Sequence, residues 1–180
     1  MSRVVIDQPY EFVPPHKGGL LPRMLGNLLL PRILDKSYGI TSAQVDGQEK
    51  IREAQKAGHG ILITPNHPHA ADPLSLFHLS QATGSLFYVM ASWHLFMEGA
   101  IQRFLIRTMG AFSIYREGID RSSLQFAMEV LENGDRPLVI FPEGAVTRTN
   151  DLLSPLMEGV STIARGAARK RAKADGGKVL

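Results

Sequence analysis

From Ile40 onward, short apolar runs alternate with amphipathic stretches of about ten residues or more, and this alternation limits the possible folds most. "ITSAQVDG" (40–47), "ILIT" (61–64), "LFYVMA" (86–91), "AFSIYR" (111–116) and "PLVIFP" (137–142) read as strands. "QEKIREAQKAG", closed by Gly58, "DPLSLFHLSQATG", "HLFMEGAIQRFLIRTMG" and "DRSSLQFAMEVLENG" read as the helices between them. "SPLMEGVSTIARGAARKRAKA" (154–174) reads as a last helix. Strands joined by crossovers of this length lie parallel, so the expected fold is α/β, a largely parallel or mixed sheet flanked by helices. In such sheets ligands gather at the carboxyl ends of the strands.

The chain of 180 residues is long enough to bury one substantial core. Residues 1–39 divide from the α/β domain expected over 40–180. They begin with a Pro-rich irregular stretch that lacks the apolar core of a secretory signal. Leu20 to Leu34, "LLPRMLGNLLLPRIL", carries Arg23 and Arg32 and no acid. It is too short to span a bilayer, and two readings stay open. It rests in the headgroup region of a membrane, or it is a terminal helix on the core, broken at Pro22 and Pro31. The closing "GGKVL" reads as the opening of a strand, so the domain is expected to be truncated at its C-terminus.

Charge is unevenly placed. Between Arg165 and Lys178 six cations (Arg165, Arg169, Lys170, Arg171, Lys173, Lys178) face one acid, Asp175, for +5; with a total of +3, the rest of the chain carries −2. Arg165, Arg169 and Lys173 recur every four residues, as on a solvated helix face, and no nucleic-acid partner is expected; the rival reading is a binding protein whose basic tail grips acidic lipid or nucleic acid. The absence of cysteine removes disulfides and thiolate metal sites.

Three polar clusters follow strands directly. In "NHPHAAD", His67 can take a proton at neutral pH if its other ring nitrogen is held, and Asp72, five residues on, can hold it. This is the base and orienter of a triad without a protein nucleophile, so the substrate would bring the hydroxyl. Asp72 also reads as an N-cap, with Pro73 at the first helical position. A metal site from His67, His69 and Asp72 is the rival, as in a metal-dependent hydrolase. Its match to the HxHxDH pattern is partial, with Ala71 where aspartate is needed and Asp72 where histidine is needed. His16, His59, His78 and His94 are scattered, and His78 and His94 read as surface or core-edge residues. Arg116, ending "GAFSIYR", suits a phosphate, or a surface ion pair with Glu117. In "FPEGAVTR", Gly144 allows close backbone approach, and Thr147 and Arg148 add groups able to bind phosphate.

Taken in order, these blocks resemble the glycerolipid acyltransferase family, which includes the 1-acylglycerol-3-phosphate acyltransferases. Asn66, His67 and Asp72 match its N-H-x4-D block, Gly110, Ile114 and Arg116 its second, and Phe141, Pro142, Glu143 and Gly144 its F-P-E-G block. Two residues, Ala145 and Val146, separate F-P-E-G from Thr147-Arg148, where many members run on directly. The resemblance implies that His67 deprotonates an acceptor hydroxyl and that Asp72 orients His67. It implies that Arg116, Glu143 and Gly144 position the acceptor's phosphate and glycerol, within a substrate site to which Asn66, Gly110, Thr147 and Arg148 also belong. The implied donor is acyl-CoA or acyl-carrier protein. The implied acceptor is a lysophospholipid, above all 1-acylglycerol-3-phosphate, in phospholipid biosynthesis. No metal or tightly bound organic cofactor is implied, and the expected location is cytoplasmic and peripheral to a membrane.

Overall fold

A computed structural model of the chain describes residues 9–174 and 176–180. Helices α1 (Leu20–Tyr38) and α2 (Gln48–Lys56) precede strand β1 (Leu62–Ile63), helix α3 (Asp72–Thr83) and strand β2 (Tyr88–Ser92). A 3-10 turn (Trp93–Phe96) leads to α4 (Ala100–Thr108), β3 (Ala111–Ile114), α5 (Arg121–Asn133), β4 (Leu138–Val139) and α6 (Glu158–Lys173). The four strands form one sheet in the order β1-β4-β2-β3, every pair parallel. This is the α/β class that the alternation of strands and helices requires.

Both faces of the sheet are covered, as period-two side-chain alternation predicts for a buried parallel sheet. Around β4, Leu138 and Ile140 join Phe112, Leu131 and Ile163 in the core beneath α5 and α6. Val139 and Phe141 point the other way, toward Leu76 and Leu79 of α3. Burying each such side chain contributes about 1.5–3 kcal/mol. Both sheet edges are also closed. Next to β3, the Ser113 N–H donates to the Val13 carbonyl (3.0 Å) and the Val13 N–H to Ser113 Oγ (2.8 Å). Next to β1, Gly60 and Leu62 exchange backbone hydrogen bonds with Lys178 and Leu180.

Four expectations need correction. Residues 40–47 form no strand, because the place beside β1 is taken by Lys178–Leu180. The segment read as a single helix from His94 to Gly110 is split, with Gly99 (φ 136°) between the 3-10 turn and α4. The last helix begins at Glu158 rather than Ser154, because the Met157 N–H is drawn to the Pro142 carbonyl (2.8 Å). Helix α1 runs unbroken through both prolines. Pro22 sits in the first turn, where backbone N–H groups have no helical partner. At Pro31 the helix forgoes one hydrogen bond, and the Arg32 guanidinium donates to the Leu28 carbonyl nearby.

The basic stretch is also less free than its composition suggests. Arg171 is buried (4% exposed), its guanidinium donating to the carbonyls of Leu131, Glu132 and Gly58. Lys170 pairs with Glu132 at 2.8 Å. Arg165, Arg169 and Lys173 remain exposed on α6.

Candidate active site

The loop after β1 and the loop after β4 are joined at His67. Its backbone N–H donates to Glu143 Oε1 (2.8 Å), and its carbonyl accepts the Thr147 N–H (2.9 Å). The next carbonyl, of Pro68, accepts the Arg148 N–H (3.1 Å). The imidazole lies against the ring of Phe141, centroids 4.2 Å apart and planes 28° from parallel. The backbone and one ring face of His67 are therefore fixed by the third sequence block.

The ring itself is oriented by Asp72, whose Oδ2 lies 3.0 Å from Nδ1. An ionised carboxylate only accepts hydrogen bonds, so Nδ1 carries the proton and Nε2 keeps the lone pair of a base. The same Oδ2 accepts the His69 N–H at 2.8 Å, fixing the carboxylate in turn. Asp72 is the first residue of α3, with Ala71 at the N-cap position and no side-chain cap. Its carboxylate thus serves the loop rather than the helix N-terminus. The Nδ1 of His69 accepts the Ala71 N–H (3.1 Å), so that nitrogen is already engaged. Among the described residues no group of three His, Asp or Glu side chains is placed to hold a metal ion.

Glu143 has both carboxylate oxygens in use, Oε1 on His67 and Oε2 on the Ser154 N–H (3.3 Å). Gly144 is left-handed (φ 67°), and a Cβ there would crowd Met157 Sδ at 2.5 Å and approach Arg116 Nη2 at 3.5 Å. That second contact places Arg116. It leaves the end of β3, and its guanidinium comes close to Gly144 in the loop after β4, a strand two places away in the sheet. Glu117 accepts from the Tyr115 hydroxyl (3.3 Å), and neither ion pair among the described residues involves Arg116.

Arg116, Gly144 and His67 open on one cavity of about 1280 Å³. Pockets for ordinary small ligands run to about 1,000 Å³, so a lipid-sized molecule fits. Aliphatic walls come from Leu25, Leu29 and Ile33 of α1, Leu105 of α4, Ile140 and Ile163.

Five residues that the resemblance puts in the substrate site do not line this cavity: Glu143, held as described above, and four more. Asn66 is exposed on the loop, as is Arg148, at φ 59°. Thr147 is occupied in holding the His67 carbonyl. Gly110 lies at the opposite end of β3 from Arg116, where a Cβ would run into the Phe87 carbonyl oxygen. Conversely, Ser92 and His94 line the cavity, although the sequence reading put His94 at the surface or core edge. The signal was available, since Ser92 ends strand β2.

A parallel α/β sheet with a histidine–carboxylate pair at its carboxyl edge, facing a lipid-sized cavity, is suited to group transfer onto a substrate hydroxyl. The match is specific: the acyltransferase family model covers residues 42–175, and the chain belongs to that family. It is an acyl-transferring enzyme of the glycerolipid acyltransferase-like kind. No curated protein matches the chain.

Proposed function

We propose that this protein moves a fatty acyl group from an acyl thioester, acyl-CoA or acyl-carrier protein, to the hydroxyl of a lysophospholipid at a membrane surface. The favoured acceptor is 1-acylglycerol-3-phosphate. The observation that carries this reading is the 3.0 Å contact between His67 and Asp72 beside an apolar cavity that Arg116 also lines.

In the reaction, the acceptor hydroxyl gives its proton to His67 Nε2 as its oxygen bonds to the thioester carbonyl carbon. Asp72 steadies the resulting imidazolium. The tetrahedral intermediate then collapses, the carbon–sulfur bond breaks, and the departing thiolate takes the proton from Nε2. The products are an ester and a free thiol. Arg116 holds the acceptor's phosphate, for which a planar guanidinium is suited. The aliphatic walls take the acyl chain.

Access from a bilayer is supported by the rim. Ile33, Ile101, Ile119 and Met157 line the cavity and are also exposed. Exposed apolar side chains grouped in this way mark a surface that meets lipid or another apolar partner. Among the described residues no helix is long and apolar enough to cross a membrane, and α1 is proposed to lie on its surface.

The test is thiol release from acyl-CoA with a panel of lysophospholipids and monoacylglycerol. The reading expects release that depends on acceptor and is fastest with 1-acylglycerol-3-phosphate. Release at one rate whatever the acceptor would mean hydrolysis and would overturn it.

A further inference from the structure

The strand order β1-β4-β2-β3 sets out the active edge in sequence: His67 after β1, Glu143 and Gly144 after β4, Ser92 and His94 at the end of β2, Arg116 after β3. Neighbouring strands are about 4.8 Å apart, so β2 ends between the two elements that Arg116 bridges. Ser92 is in register with Ile114, two residues before Arg116. Two residues further on, His94 and Arg116 therefore leave neighbouring strand ends.

Ser92 Oγ lies 2.9 Å from His94 Nδ1, and both residues line the cavity. The hydrogen bond fixes the ring and leaves Nε2 bonded to no other described residue. If the Ser92 hydroxyl donates to Nδ1, the neutral ring bears its proton on Nε2; a protonated ring bears one there as well. Either of these states offers an N–H donor to the cavity that Arg116 also lines. Such a donor would go unused against a hydrocarbon chain, but it suits an oxyanion.

We propose that Ser92 and His94 form a second arm of the acceptor headgroup site, with His94 Nε2–H donating to the same phosphate monoester that Arg116 binds. Ser92 is the positioning residue and His94 the contact. Two donors of different geometry on one phosphate give specificity as well as affinity, because an acceptor lacking the phosphate leaves both unpaired. The inference rests on the reading above that the cavity takes a phosphate-bearing acceptor.

The experiment has two arms. In the first, His94→Leu raises KM for 1-acylglycerol-3-phosphate about tenfold or more, as expected for a lost charge-assisted hydrogen bond. The rise is several-fold smaller with monoacylglycerol, and His94→Gln, which keeps a donor near the Nε2 position, recovers much of the loss. Equal KM changes with both acceptors, or none, would overturn the proposal. In the second, glycerol 3-phosphate is titrated into the wild-type protein and the imidazole nitrogens are followed by NMR, with His94→Gln identifying the resonance. A response at His94 supports the subsite even if no acyl transfer is found, in which case the functional reading alone fails. No response at His94 overturns the subsite even if transfer is active.

Discussion

The backbone N–H of His67 donates to Glu143 Oε1 at 2.8 Å, although 76 residues separate the two in the chain. The other oxygen of Glu143 receives the Ser154 N–H, so one carboxylate joins the β1 loop, the β4 loop and the segment leading to α6. The resemblance to the family implies a glutamate that touches the acceptor. Here both its oxygens receive backbone N–H groups, and we propose that it supports His67 instead.

Glu143→Gln should therefore act on turnover. An amide can still accept from one N–H, but its NH2 group cannot accept from the other. A misplacement of about 1 Å at a catalytic group can cost on the order of 10²-fold. We expect kcat to fall about tenfold or more, with KM for the acceptor changing by less than about twofold. Steady-state kinetics on the variant check this, and a rise in KM at constant kcat would return Glu143 to the substrate.

A second prediction concerns the segment of Tyr10 and Val13 that lies along the edge of β3. Asp120 caps α5 through the Ser123 N–H (3.0 Å), accepts the Tyr115 N–H (3.0 Å), and accepts the Tyr10 hydroxyl. Burial, then the hydrogen bond to Asp120, raises the pKa of Tyr10 well above the ordinary phenol value. A group whose folded pKa is raised contributes stability below its unfolded pKa, and that contribution is lost as pH rises through the folded value. Unfolding midpoints should therefore fall as pH rises above about 10, and fall less steeply in Tyr10→Phe. At neutral pH that variant should lose about 1 kcal/mol, the worth of an ordinary hydrogen bond. Urea unfolding of both proteins across this pH range is the measurement.

A third prediction concerns α1. Leu20, Met24 and Leu28 fall on one face and are 76%, 60% and 53% exposed. Gly26, by contrast, packs on Phe77 and Met109. Replacing the three exposed residues with glutamine should reduce sedimentation with anionic vesicles while the thermal midpoint shifts little, since no core contact is removed. Unchanged sedimentation would mean that α1 is only a packed terminal helix.

The parts of this site visible in the sequence are those carried by local pattern. His67, Arg116 and Glu143 each come directly after an apolar run, and the spacing from His67 to Asp72 carries the loop back to the start of α3. Ser92 and His94 were masked because apolar residues continue past the strand end through Trp93, Leu95 and Phe96. The role of Glu143 depends on a backbone N–H brought in by tertiary structure, for which no local pattern exists. Residues 40–47 show the limit of strand propensity: the composition suits a strand, but pairing depends on a free edge, and Lys178–Leu180 occupy it. The continuity of α1 through Pro31 has a similar cause, since packing on α3 outweighs the lost hydrogen bond.

The most direct test of the account is the rate of acceptor-dependent thiol release from acyl-CoA in His67→Ala against wild type, with His69→Ala as the comparison. Positioned acid–base catalysis is worth about 10²–10⁴-fold, so His67→Ala should lose at least that much while its circular dichroism and unfolding midpoint stay close to wild type. His69→Ala, whose Nδ1 accepts the Ala71 N–H and whose ring meets Tyr38 edge-on, should lose far less. A folded His67→Ala protein that releases thiol at the wild-type rate would contradict the account.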